Sequence, residues 1–330
     1  MLARSCAPAA VVLLMAVLTV GCSPSETQEG DDGAEMTPEP AGAAEVVPGI
    51  DATNAFYSYA DLEGAWTFYS QVMGFETVAD YGFAKILRVA PASYLTLVDQ
   101  AEAMHATSAP RSVTLGIVTE EVEGWWAYLS SRGVPTTGDY EPGAEAPHEG
   151  FVVVDPEGYH LEIERYNRHP ENDRLRPVLE AVEPMGPAGG DRPEALTVRA
   201  TVLRLYYDEL EPAGRFWERL LGADVLLDRG WARVYGVSDT GFLALVDGAR
   251  GLHEATEEQA VTVSFLTRKI GAWLRRAREQ GVQLQTPGIT EERRRVRTFV
   301  ARDPGGYFLE WDTFLPVADN ERLLELLAGG

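Results

Sequence analysis

The chain has 330 residues, 45% of them apolar, with a formal charge of -23 at pH 7. So acidic a surface repels phosphate backbones and excludes nucleic-acid binding as a function class. Beyond Cys22 there is no cysteine, which excludes disulfide and thiol chemistry from the folded part.

In chain order, residues 1–22 predict an export signal. Arg4 supplies the positive end, and residues 9–20 are an uncharged apolar run that falls short of the ~20 residues a membrane span needs. The run ends in Leu18-Thr19-Val20-Gly21-Cys22. A small residue before that cysteine resembles a bacterial lipobox, although Thr19 stands where Leu is commonest. It implies cleavage before Cys22, acylation of Cys22, and a membrane-anchored protein of the cell envelope facing outside the cytoplasm. Residues 23–47 hold seven acids and no Lys or Arg among Ser, Pro, Gly and Ala. Such a segment buries nothing and repels itself, so it reads as a flexible acidic tether.

The rest of the chain repeats at a constant offset of 148 residues. Phe68-Tyr69 returns as Phe216-Trp217, Gly74 as Gly222 and Trp125 as Trp273. Tyr94-Leu95-Thr96-Leu97-Val98-Asp99 returns as Phe242-Leu243-Ala244-Leu245-Val246-Asp247, and Asp155-Pro156-Glu157-Gly158-Tyr159 as Asp303-Pro304-Gly305-Gly306-Tyr307. Each copy is itself a tandem. Alternation predicts a strand at 54–59, helical spacing a helix from Asp61 to near Gly74, and strands follow at 76–78, 84–89 and 94–98. The order restarts with a strand at 113–118, a helix at 122–131 ending at Gly133, and strands at 151–154 and 160–165. Asp155-Pro156-Glu157-Gly158 is a turn, because proline presets φ and glycine accepts positive φ. The pattern predicts an α+β protein of four βαβββ modules. Two domains are expected at 48–168 and 196–316, with a helix and linker at 169–195 and a terminal helix at 317–330.

A strand followed by Asp61-Leu62-Glu63-Gly64-Ala65-Trp66-Thr67-Phe68-Tyr69, a helix ending in Met73-Gly74-Phe75, and a closing Asp155-Pro156-Glu157-Gly158-Tyr159-His160-Leu161-Glu162 resemble the vicinal oxygen chelate superfamily. That superfamily includes glyoxalase I, extradiol dioxygenases and bleomycin-binding proteins. The resemblance covers residues 51–166 and 199–314. It implies glyoxalase-like domains, each with two modules curling mixed sheets around its own cleft, so each half is expected to fold alone.

The resemblance also implies a divalent metal, held by a His opening a module's first strand, an acid on its fourth, and their equivalents in the partner module. Carried over residue by residue, these fall on Asn54, Thr96, Ser112 and Glu162 in the first domain. In the second they fall on Val202, Ala244, Ala260 and Glu310. Only the closing glutamates match, so no metal cofactor is expected; Glu162, His160 and Asn54 remain as a sparse alternative set in the first domain. A charged glutamate in an apolar cleft needs a partner. Lys85 and Arg233, equivalent across the repeat, are expected to serve Glu162 and Glu310, with Arg204 a second partner for Glu310. His105 and His253 match in the inter-module loops and could reach a cleft or pack. Arg293, Arg294, Arg295 and Arg297 form a basic patch suited to an anion or to guarding a strand edge.

These readings converge on a metal-independent module that binds a small organic ligand through Asn54, Lys85, Thr96, Ser112, Glu162, Arg204, Arg233 and Glu310. The alternatives are a lyase or isomerase using Glu162, with His160 beside it, or a scaffold for another envelope protein.

Overall fold

The computed structural model describes residues 46–143 and 145–329. The signal, Cys22 and nearly all of the tether lie outside the described residues. No helix among them is long and apolar enough to cross a membrane.

Module 1 comprises β1 (Ala52–Tyr59), α1 (Leu62–Thr67), β2 (Glu76–Asp80), β3 (Ala84–Ala90) and β4 (Ser93–Asp99). Helix α1 starts where the Asp61 carboxylate accepts from the Gly64 N–H at 3.0 Å. It runs on as a π-helical turn, Phe68–Val72. Gly74 then reverses the chain at a φ of 67°, a conformation that favours glycine. Module 2 holds β5 (Val113–Val118), α2 (Val122–Ser131), β6 (His148–Val154) and β7 (His160–Tyr166). Its expected additional strand shrinks to one bridge, Thr136 to Val153, because the preceding loop is rich in Gly, Pro and Glu. Helix α3 (Leu175–Glu180) lies in the linker. Module 3 holds β8 (Ala200–Tyr207), α4 (Leu210–Leu221), β9 (Val225–Asp228), β10 (Ala232–Gly236) and β11 (Gly241–Asp247). Module 4 holds β12 (Val261–Leu266), α5 (Ile270–Glu279), β13 (Gln283–Leu284), β14 (Thr290–Glu292), β15 (Val296–Arg302) and β16 (Phe308–Phe314), and α6 (Glu321–Ala328) follows.

The α+β class, the repeated glyoxalase-like domains and the mixed sheets are as the sequence predicts. The partnership of the modules is not. One sheet runs β13-β15-β16-β12-β1-β4-β3-β2, with β14 on β15, and joins modules 1 and 4. The other runs β6-β7-β5-β8-β11-β10-β9 and joins modules 2 and 3. Strands β1 and β12 meet antiparallel with Asn54 opposite Ser264, and β5 meets β8 with Gly116 opposite Val202. Neither sequence repeat therefore closes its own cleft, which overturns the expectation that each half is self-contained.

The closing motif explains how the seams are held. Asp155 accepts from the Tyr159 N–H at 2.8 Å and from the Tyr59 hydroxyl at 2.6 Å. The Tyr159 hydroxyl accepts from the Ser58 N–H at 3.0 Å and donates to the Ala260 carbonyl at 2.6 Å. A residue of one sheet thus pins the β1/β12 seam of the other. Tyr307 repeats this at the second seam, accepting from the Tyr206 N–H at 2.8 Å and donating to the Ser112 carbonyl at 3.2 Å. The odd-numbered face of β1 (Ala55, Tyr57, Tyr59) joins the main core with the fully buried Trp125, Trp217, Trp273 and Trp311. The opposite sheet faces are left to line two clefts.

Candidate functional site

Strand register defines equivalent positions in all four modules. Phe56 lies level with Thr96, Gly116 with Glu162, Arg204 with Ala244 and Ser264 with Glu310. Two residues earlier on each first strand stand Asn54, Thr114, Val202 and Thr262. Ser112 and Ala260 are thus two residues short of the positions carried over to them. Both precede their strands and serve the seams through their carbonyls.

The outer-module cleft, between modules 1 and 4, is a cavity of about 200 Å³ walled by Phe56, Tyr81, Phe83, Ile86, Met104 and Phe314. At one side the Thr96 hydroxyl donates to Asn54 Oδ1 at 3.0 Å. His105 Nε2 lies 2.9 Å from the Thr262 hydroxyl. Burial, and then the nearby Arg302 guanidinium, push the His105 imidazole down to about 4, so it is neutral at pH 7. On β16, Glu310 and Asp312 share a face and are 8% and 1% exposed. The Ser264 hydroxyl donates to Asp312 Oδ2 at 2.7 Å. No cation pairs with either carboxyl among the described residues. Burial and then the Asp312 charge push Glu310 well above the usual carboxylate range. Burial raises Asp312 to about 6 against the opposing Ser264 hydrogen bond. The pair therefore holds a proton at neutral pH.

The rim carries part of the basic patch. Arg293 and Arg294 form a left-handed turn, with φ of 47° and 58°. Arg293 pairs with Glu102 at 2.5 Å and lies 3.9 Å from the Phe83 ring centre. Arg295 pairs with Asp319 at 2.7 Å.

The inner-module cleft, between modules 2 and 3, encloses about 250 Å³ beside Tyr206, Leu227 and Trp231. Here the acids have a cation. Arg204 lies 3.3 Å from Glu162 and 2.5 Å from Glu164. His148 Nε2 is 3.4 Å from Glu162 and 2.7 Å from Glu164. Burial opposes the Glu164 charge, but Arg204 and His148 outweigh it and hold the carboxyl down at about 2.

The structure thus brings together Asn54 and Thr96 in the cleft that Glu310 also lines, and Glu162 with Arg204 in the other. It separates the rest. Arg204 serves Glu162 and not Glu310, because β8 belongs to the second sheet. Lys85 points to the helical side of its sheet, 2.7 Å from Asp80 and 3.1 Å from Glu63. Arg233 pairs with Glu211 and, at 3.1 Å, with Asp228. The His160 ring lies 4.5 Å from that of His253 at an interplanar angle of 34°, and burial lowers both imidazoles, His253 to about 4. Glu162 and His160 lie in one sheet and Asn54 in the other, so that trio cannot share a metal. Sequence reasoning missed Glu164, Asp312 and His148. The repeated spacing of Glu162-Ile163-Glu164 and Glu310-Trp311-Asp312 was the available signal, since alternate residues share a strand face.

The donor chemistry does not fit the implied divalent metal. The equivalent positions offer Asn54, Thr96, Thr262 and Glu310 in one cleft, and Thr114, Glu162, Val202 and Ala244 in the other: one carboxylate each. His148, Glu162 and Glu164 do place ligand atoms within 4.8 Å of one another. Arg204 engages both carboxylates, however, so an ion there would have to displace its guanidinium.

The sequence profile of the Glyoxalase/Bleomycin resistance protein/Dioxygenase superfamily matches residues 49–163 and 199–311. No curated protein matches the chain significantly. Among solved structures, a candidate dioxygenase from Bacillus subtilis is similar with a TM-score of 0.57 at 16% identity, over 84% of this chain and 88% of that one. Glyoxalase I from Zea mays is similar with a TM-score of 0.55 at 18% identity, over 83% of this chain and 94% of that one. At such identities the likeness is one of fold.

Proposed function

Because the chain belongs to the glyoxalase/bleomycin resistance protein/dioxygenase superfamily, yet keeps one carboxylate among the four equivalent positions of each cleft, we propose that it binds a small organic ligand without a metal. The outer-module cleft is the binding site. It is the cleft whose buried acids have no counter-charge among the described residues, and its aromatic walls suit an apolar body. The lipid anchor at Cys22 would hold this binding unit at the envelope membrane. The rival reading, catalysis with Glu162 as base, is less well supported, since Arg204 and His148 already engage that carboxylate.

The observation that carries the proposal is the donor set, and the test is direct. Purified protein is incubated with envelope or medium extract, dialysed, and the retained small molecules identified by mass spectrometry. A stoichiometric organic molecule should be retained by the native protein and lost on Val98→Trp, which fills the cleft. Elemental analysis after exposure to Zn and Mn should find far less than one ion per chain. Stoichiometric metal lost on Glu162→Gln or His148→Ala would move the enzyme reading to first place.

A further inference from the structure

The two clefts are pseudo-equivalent, and one contains what the other lacks. Glu162 and Glu164 on β7 correspond to Glu310 and Asp312 on β16, and Arg204 on β8 corresponds to Phe56 on β1, each pair 148 residues apart. In the inner cleft the Arg204 guanidinium spans the two carboxylates. In the outer cleft a phenyl ring stands at that position, facing an equivalent acid pair across an open cavity. Asp312 is one methylene shorter than Glu164, which enlarges the gap in front of it.

We propose that the outer-module cleft recognises an organic cation, an ammonium or amidinium on an apolar body, whose charged group takes against Glu310 and Asp312 the place that Arg204 takes against Glu162 and Glu164. The proposal rests on the reading of this cleft as the ligand site.

Observations beyond the acid pair point the same way. Among the described residues, Asp312 Oδ1 is buried without a hydrogen-bond partner, and Asp312 lines the cavity. Buried polar atoms are seldom left unmade, and a bound N–H donor would satisfy Asp312. The rings of Phe56, Tyr81, Phe83 and Phe314 surround the space, suiting a cation's apolar skeleton and offering π-faces to its charge. The cations at the rim do not compete, because Arg293 and Arg295 are held by Glu102 and Asp319. His105 is neutral there, and Glu292 adds negative charge beside the pair.

The test uses the full chain and three probes of similar shape: 2-phenylethylammonium, 2-phenylethanol and phenylacetate, titrated calorimetrically at pH 7.5. The ammonium should bind at least ten-fold more tightly than the alcohol, and the acid weakest. Asp312→Asn should remove that preference. Phe56→Arg, which installs the inner cleft's own cation, should abolish binding of the ammonium and raise the melting temperature. A preference for the alcohol or acid, or an ammonium preference that survives Asp312→Asn, would overturn the cation proposal while leaving the cleft as a binding site. Binding of none of the three would overturn both.

Discussion

Phe56 and Arg204 occupy the same place in two equivalent clefts, and this one exchange separates an acid pair with a guanidinium from an acid pair facing an open cavity. The neighbouring acids differ by a single methylene, yet their proton affinities move in opposite directions. Glu164 is held at about 2, while Asp312 is raised to about 6. A buried carboxylate is ionised when a cation pays the desolvation cost and protonated when none does.

Stability should therefore fall as pH rises from about 4 through about 6. Asp312 binds its proton more tightly in the folded protein than in the unfolded chain. Its contribution is complete below the ordinary aspartate range, near pH 4, and is lost as pH rises through about 6. The loss is on the order of 3 kcal/mol, and Asp303, also raised to about 6 by burial, acts in the same direction. Calorimetric melting of the native protein and Asp312→Asn at pH 5 and pH 8 isolates the effect. The variant should lose less stability between the two pH values and exceed the native protein at pH 8. Parallel pH dependence in the two proteins would contradict the assignment.

Arg204→Met should destabilise the protein by about 3–5 kcal/mol at pH 8, because it takes the guanidinium from the fully buried Glu164 and the partly buried Glu162 and leaves them His148 alone. At pH 5 the cost should shrink, since the stranded acids can then take up protons. Denaturant unfolding at the two pH values measures the difference, and a cost independent of pH would show that lost packing dominates.

Separating the repeats should break both sheets. Residues 46–183 lose β8 and β12, the partners of β5 and β1, and expose two long strand edges. Neither this fragment nor 196–330 should melt cooperatively as a monomer. Mixing the two should restore a single transition, read by calorimetry and size-exclusion chromatography. A cooperative monomeric melt of either half would show that a module can close on its sequence neighbour.

Cys22→Ala should move the protein from the membrane to the soluble fraction of the envelope or the medium, with no change in melting temperature. Membrane fractionation unaffected by the substitution would remove the lipid anchor from the proposed function.

Much of this molecule is legible along the chain. The 148-residue offset, the module order, and the Asp155-Pro156-Glu157-Gly158-Tyr159 turn with its copy at Asp303 follow from alternation, helical spacing and turn chemistry, which act over a few residues. The closing glutamates could be found the same way, and so could Glu164 and Asp312, had the repeated spacing been read for the second acid. What only the tertiary structure decided is which modules share a sheet, and with it the partner of every cleft residue. Strands β1, β5, β8 and β12 present similar backbone edges, and edge hydrogen bonds do not distinguish one such strand from another. The choice is made by distant side chains that pin each seam, Tyr159 on Ser58 and Ala260, and Tyr307 on Tyr206 and Ser112. It sends Arg204 to Glu162 and leaves Glu310 with no cation among the described residues, because a charge's partner is set by proximity in space and not by spacing in sequence.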